Sequence, residues 1–209
     1  MIFAAYLTLA FAAGAFAYPV SVGDQVTFAN DTFGTTNGGP FKMHDLNNDI
    51  TLRTICLERD EYLDYSHTFK IGNISGSANG GGTNTNSGDP ISDATKWLFW
   101  NFTIGNLQVT NDLQANALQI AIWKLEDESL NGITNGNLTA AQTLIDLANN
   151  ALANGGTFGD VAVLNMYYLN GTPAQDQLVA NAPVPEPATM LLLGSGLVGL
   201  AAFRRRSKK

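Results

Sequence analysis

The stretch NALQIAIWKLEDE, residues 116–128, decides how the rest of the chain is read. It is apolar on almost every side, yet Gln119 sits in its middle. Leu118, Ile122 and Leu125 recur at helical spacing, so 112–129 reads as a helix. On that helix Gln119 has Ala115 one turn before it and Ile122 and Trp123 one turn after. A buried amide without partners costs roughly 1–3 kcal/mol. Either backbone groups satisfy this one, or the amide is consumed in a reaction.

Working outward, SDATKWLFWNF (92–102) reads as a helix or a buried strand. TAAQTLIDLANNALANGG (139–156) reads as a helix, with Thr139 and Gln142 as a capping box and Gly155 or Gly156 as the stop. Before this helical region lie three strand-like runs, 20–30, 49–58 and 65–75, rich in Val, Ile, Thr and Phe. A Gly/Asn/Ser-rich loop fills 76–90 and lacks the Gly-Lys-Ser/Thr ending of a phosphate loop. DVAVLNMYYLN (160–170) is strand-like, and a short QDQLVA (175–180) precedes the prolines. The expectation is an α+β domain over 18–180: a β-sandwich or a sheet carrying a helical insertion, followed by one C-terminal transmembrane helix.

With 45% hydrophobic and 10% aromatic residues, the composition is that of a folded protein. The net charge of −7 hides an asymmetry, because five of the eleven cations lie in the final RRRSKK. The chain before that tail sets six cations against eighteen acids, a balance of −12. Such a surface repels phosphate, so nucleic acid is excluded as a partner.

Both ends read as targeting segments. Residues 1–17 are apolar and close on Ala15-Phe16-Ala17, the small-x-small pattern of a signal peptide, although no Lys or Arg precedes the apolar run. Residues 181–209 combine a proline-rich break, an apolar run over 188–203 and a basic tail over 204–209 that begins Arg204-Arg205-Arg206. Sixteen helical residues reach about 24 Å, short of the ~30 Å hydrocarbon core, which suits a transient stop. The cations belong on the cytoplasmic side, leaving the body outside. With Val184-Pro185-Glu186-Pro187 as signature, this end resembles the PEP-CTERM sorting signal of Gram-negative bacteria. The resemblance implies an exosortase as processing partner and a single-pass inner-membrane precursor. The destination it implies is the cell surface, a biofilm or an exopolysaccharide matrix.

Few chemical constellations are present. His44 and His67 are the only histidines, and no His-Glu-x-x-His occurs, so no metal or cofactor is expected. DLNND (45–49) starts like a calcium loop, but Ile50 stands at the glycine position and Cys56 at the glutamate position, favouring an Asx-rich turn. Cys56 is the single cysteine and so has no internal disulfide partner. It is read as a buried inert thiol, a half of an intermolecular disulfide, a Cys–His nucleophile or a group bonded to another side chain.

TICLE (54–58) and LQIAIW (118–123), with WLFWNF (97–102) between them, resemble the Cys-Gln thioester domain of bacterial surface adhesins. Ile55-Cys56 and Gln119-Ile120-Ala121-Ile122-Trp123 carry the resemblance, while Leu118 stands where Thr commonly precedes the glutamine. It implies a bond between Cys56 and Gln119, covered by Trp123 and Ile122, which an amine or hydroxyl on a partner would open. Glu58 could assist the incoming amine, though a solvated acid is its plainer role. The expected protein is a single-use covalent adhesin and not a turnover enzyme. The rivals are a structural matrix protein with a free Cys56, a Cys hydrolase, and an ice- or polysaccharide-binding module, for which only Thr83 and Thr85 hint at a threonine array.

Overall fold

The computed structural model describes residues 17–34, 38–79 and 88–182. Its strands are β1 (Gln25–Asn30), β2 (Phe41–Asp45), β3 (Ile50–Thr54), β4 (Phe69–Ser75), β5 (Ser77–Ala78), β6 (Asp89–Pro90), β7 (Val161–Tyr168) and β8 (Pro173–Ala180). Between β6 and β7 lie α1 (Asp93–Thr103), α2 (Asp112–Leu125) and α3 (Asn135–Ala153). The fold is α+β, and the three helices form the anticipated insertion.

Six strands make one antiparallel sheet in the order β3-β2-β1-β4-β7-β8, and β5 pairs with β6 separately. Period-two burial selects its inner face: Val26 and Phe28 on β1, Phe41 and Met43 on β2, Phe69 and Ile71 on β4. Phe28 packs edge-on against Phe69 at 5.5 Å and Phe41 at 6.5 Å. A second facing sheet, the sandwich alternative, is replaced by closure of this one. The chain runs past β3 through Ile55, Cys56 and Leu57, which pair with β8 at the opposite end of the strand order. Leu178 N–H donates to Ile55 O at 3.0 Å and Leu57 N–H to Asp176 O at 3.1 Å. Cys56 faces Gln177 across an antiparallel bridge. The seam covers part of the β8 edge, closing the sheet at one end as a barrel does.

Several boundaries differ from the sequence expectation. β2 lies where only a turn was read, because Phe41 and Met43 alternate with polar residues over just five positions. The Asp45 carboxylate accepts the Asn47 and Asn48 N–H groups at 2.8 and 3.4 Å. DLNND is therefore the Asx-turn between β2 and β3, and no group of metal-ligating side chains occurs among the described residues. α3 begins four residues before Thr139, so the capping box does not form. The Thr139 hydroxyl instead donates to Asn135 O inside the helix at 3.0 Å. At its other end Gly155, at φ +80°, ends the helix as read. α2 is not amphipathic: Ala115 through Trp123 are buried without interruption, enclosed by the sheet seam and the other helices.

No helix among the described residues is long and apolar enough to cross a membrane. The leader and the 188–203 span, with Arg204, Arg205 and Arg206 after it, fall outside the described residues apart from Ala17; so do Thr83 and Thr85.

Candidate functional site

Three segments meet where α2 passes under the seam. The first is Cys56, held in extended backbone by its pairing with β8. The second is Gln119, carried by α2, whose start Asn111 caps by accepting from Gln114 N–H. The third is Gly38-Gly39-Pro40, which leads into β2.

The Cys56 and Gln119 side chains are in contact, as the sequence reading requires. The Cys56 thiol donates to Gln119 Oε1 at 3.3 Å. Gln119 Nε2 donates to Cys56 O at 2.8 Å, and Gly39 N–H donates to Gln119 Oε1 at 2.8 Å. Both residues have no solvent exposure. Both polar atoms of the amide thus have partners as it stands, so the apolar neighbours of Gln119 do not strand it. Trp123 and Ile122 are buried beside it at 2% and 0% exposure.

Glycine at 38 is required by close approach. A Cβ there would stand 2.6 Å from Trp123 Cη2 and 2.7 Å from Gln119 Cγ. Beyond Cys56, the Arg59 guanidinium donates to Asn131 O at 2.6 Å and to Ser129 O, and lies 5.8 Å over the Trp123 ring. This ties the chain after the cysteine to the loop after α2.

Burial pushes the Cys56 thiol up to about 12, opposed by nearby N–H groups of Gly39 and Trp123. The resting group is a thiol. Neither histidine attends it: the His44 ring bonds Thr51 Oγ1 at 3.2 Å, and His67 bonds Ser66 at 3.3 Å and pairs with Asp64 at 3.1 Å. A Cys–His hydrolase has no base here.

Glu58 corrects the expectation of a solvated acid, since it is 2% exposed. Its Oε2 accepts Asp176 N–H at 2.7 Å. Asp176 is itself buried and accepts Asn79 N–H at 2.6 Å, Asn165 Nδ2 at 2.7 Å and Met166 N–H at 2.8 Å. Burial and the Asp176 charge push the Glu58 carboxyl up to about 9, so it holds a proton at neutral pH. Burial also raises the Asp176 carboxyl, and its three N–H donors pull it back down.

A stability trend follows. The folded state keeps a proton on Glu58 that the unfolded chain releases near 4.5. Stability is therefore full below that value and falls as pH rises towards about 9. Urea titrations between pH 5 and 9 are expected to show a declining midpoint, and Glu58→Gln to flatten it.

Sequence reasoning missed Gly38, Gly39, Arg59, Gln175 and Asp176. Gln175 and Asp176 carry no local signal of burial, yet they are 2% and 1% exposed.

Comparison with known proteins reaches the far end of the chain. Residues 183–206 match the PEP-CTERM protein-sorting motif. The match includes Val184, Pro185, Glu186 and Pro187, and it implies an exported protein with a membrane-anchored precursor that an exosortase processes. No curated protein and no solved structure matches the chain.

Proposed function

We propose that this exported protein is a covalent adhesin of the cell surface or extracellular matrix, with Cys56 and Gln119 joined in an internal thioester. The observation that carries the reading is the 3.3 Å approach of the Cys56 sulfur to the Gln119 carbonyl oxygen in a fully buried site. The Cys56 sulfur attacks the Gln119 Cδ. The oxygen, gaining charge, stays on the Gly39 N–H, an oxyanion donor already 2.8 Å away. The thiol proton passes to Nε2, which leaves as ammonia, and a C–S bond replaces the C–N bond. Because the thiol resists ionisation, proton transfer accompanies attack. Packing by Trp123 and Ile122 supplies proximity and keeps water from a hydrolysable bond.

A partner's amine or hydroxyl, on a protein or an exopolysaccharide, would then attack the same carbon. The Cys56 sulfur leaves as a thiol and an amide or ester links the two molecules. Each molecule reacts once, so no enzymatic turnover is involved. Glu58, protonated at neutral pH, supplies no base to this step; its place is in holding the seam.

Intact mass is the test. The purified protein is expected to be lighter by one ammonia, a deficit absent from Cys56→Ala and Gln119→Ala. Methylamine should add its full mass and expose one alkylatable thiol. Full unmodified mass with unfolding-dependent alkylation of Cys56 would leave the other reading, a structural matrix protein with a hydrogen-bonded core glutamine. The hydrogen bonds on both Oε1 and Nε2 of Gln119 favour that second reading.

A further inference from the structure

One polar group at this site has no assigned work. The Trp123 indole N–H is buried and lacks a hydrogen-bond partner, the single such side-chain atom found among the described residues. Buried donors are seldom left so, and an orphan calls for an explanation. Trp123 stands one helical turn after Gln119 on α2, and its ring packs against the same glycine as the Gln119 side chain. A Cβ built on Gly38 would meet Trp123 Cζ2 and Cη2 and Gln119 Cγ together, at 2.6–2.7 Å. The other polar atoms of the site are already matched: Gln119 Oε1 with Gly39 N–H, and Gln119 Nε2 with Cys56 O. Cys56 is the group on which the indole N–H acts, drawing its thiol down against the effect of burial although the two make no hydrogen bond at rest.

We propose that the Trp123 N–H is a leaving-group donor, hydrogen-bonding the Cys56 sulfur when a nucleophile opens the thioester. The inference rests on the thioester reading and deepens it. As an amine adds to the Gln119 Cδ, the C–S bond breaks and its electron pair stays on sulfur. The attacking nitrogen becomes cationic, then passes its surplus proton to the sulfur, leaving an amide and a thiol. The indole keeps its own proton throughout. A resting thioester sulfur is a weak acceptor, so this donor is unsatisfied in the ground state and satisfied as charge develops, which is how a group accelerates a step.

The test replaces only the N–H. A tryptophan isostere with sulfur in place of the indole nitrogen, β-(3-benzothienyl)alanine, is placed at Trp123 of the full-length chain by suppression; Trp123→Phe serves as a second variant. Methylamine opening is followed by mass as a function of pH, and the freed Cys56 thiol is titrated by alkylation. Hydrogen bonds to charged groups correspond to roughly tenfold to a hundredfold in rate. The isostere should slow opening by that factor and shift the freed thiol's titration to higher pH, with the ammonia deficit intact. An isostere that forms the bond but opens at the wild-type rate with an unshifted thiol overturns the role of Trp123 alone. A wild-type chain without the ammonia deficit overturns the thioester itself, and with it this inference.

Discussion

Asp176→Ala is expected to destabilise the protein by roughly 3–5 kcal/mol, with each orphaned buried donor costing about 1–3 kcal/mol. The ladder between β7 and β8 changes register between Leu164 and Met166. A bulge of this kind leaves a backbone N–H without its strand partner. The Asp176 carboxylate fills that gap, taking Met166 N–H on Oδ1 and Asn79 N–H and Asn165 Nδ2 on Oδ2. Its backbone also holds the seam, through Leu57 N–H on its carbonyl and its own N–H on Glu58. Asn is a poor substitute, because donors approach both oxygens and an amide offers one acceptor. Asp176→Asn should therefore recover only part of the loss. Urea midpoints compared at pH 6 decide the matter; an alanine variant within about 1 kcal/mol of wild type would contradict the bulge-filling role.

The second large effect is expected at Gly38. A methyl group there would overlap Trp123 Cη2 at 2.6 Å and Gln119 Cγ at 2.7 Å. The ring is packed in the core and Gln119 belongs to a helix buried on all sides, so neither yields cheaply. The Gly38-Gly39 backbone must retreat, carrying the Gly39 N–H away from Gln119 Oε1. Overpacking of this kind costs typically 1–3 kcal/mol. The chemical consequence should exceed the thermodynamic one: Gly38→Ala should fold and lose the ammonia deficit, while Gly34→Ala, whose Cβ meets nothing closer than 3.5 Å, serves as the outlying control. Because Gly34 adopts φ +119°, that control carries its own backbone strain and should lose stability without losing the bond. A Gly38→Ala chain that still sheds ammonia would show that the oxyanion donor is dispensable.

Reading the chain was most successful where a signal is local. The helices α2 and α3, the strands at β1, β3, β4 and β7, and the sorting motif at 183–206 each declare themselves through periodicity, β-branched runs or a contiguous pattern, whereas 92–102 fits a helix or a buried strand equally and only the structure makes it α1. The pairing of Cys56 with Gln119 was also anticipated, from two short segments, TICLE and LQIAIW. β2 was lost because five residues give too short an alternation to stand out from a turn. β8 was undervalued because Gln175, Asp176 and Gln177 look like solvent-facing residues, and nothing local says that both faces of that strand are covered. Glu58 was misread for the same reason.

By itself, then, the sequence determined the class of fold, the helical insertion, the export signal and the identity of the one thiol and the one buried amide that meet. Those are properties of spacing and residue type along the chain. Only the tertiary structure decided that the sheet closes through residues 55–57, that Gly39 supplies the donor to the amide oxygen, and that Glu58 is a buried acid beside Asp176. Each of these depends on segments separated by about eighty residues or more, brought together by burial that no stretch of sequence carries on its own.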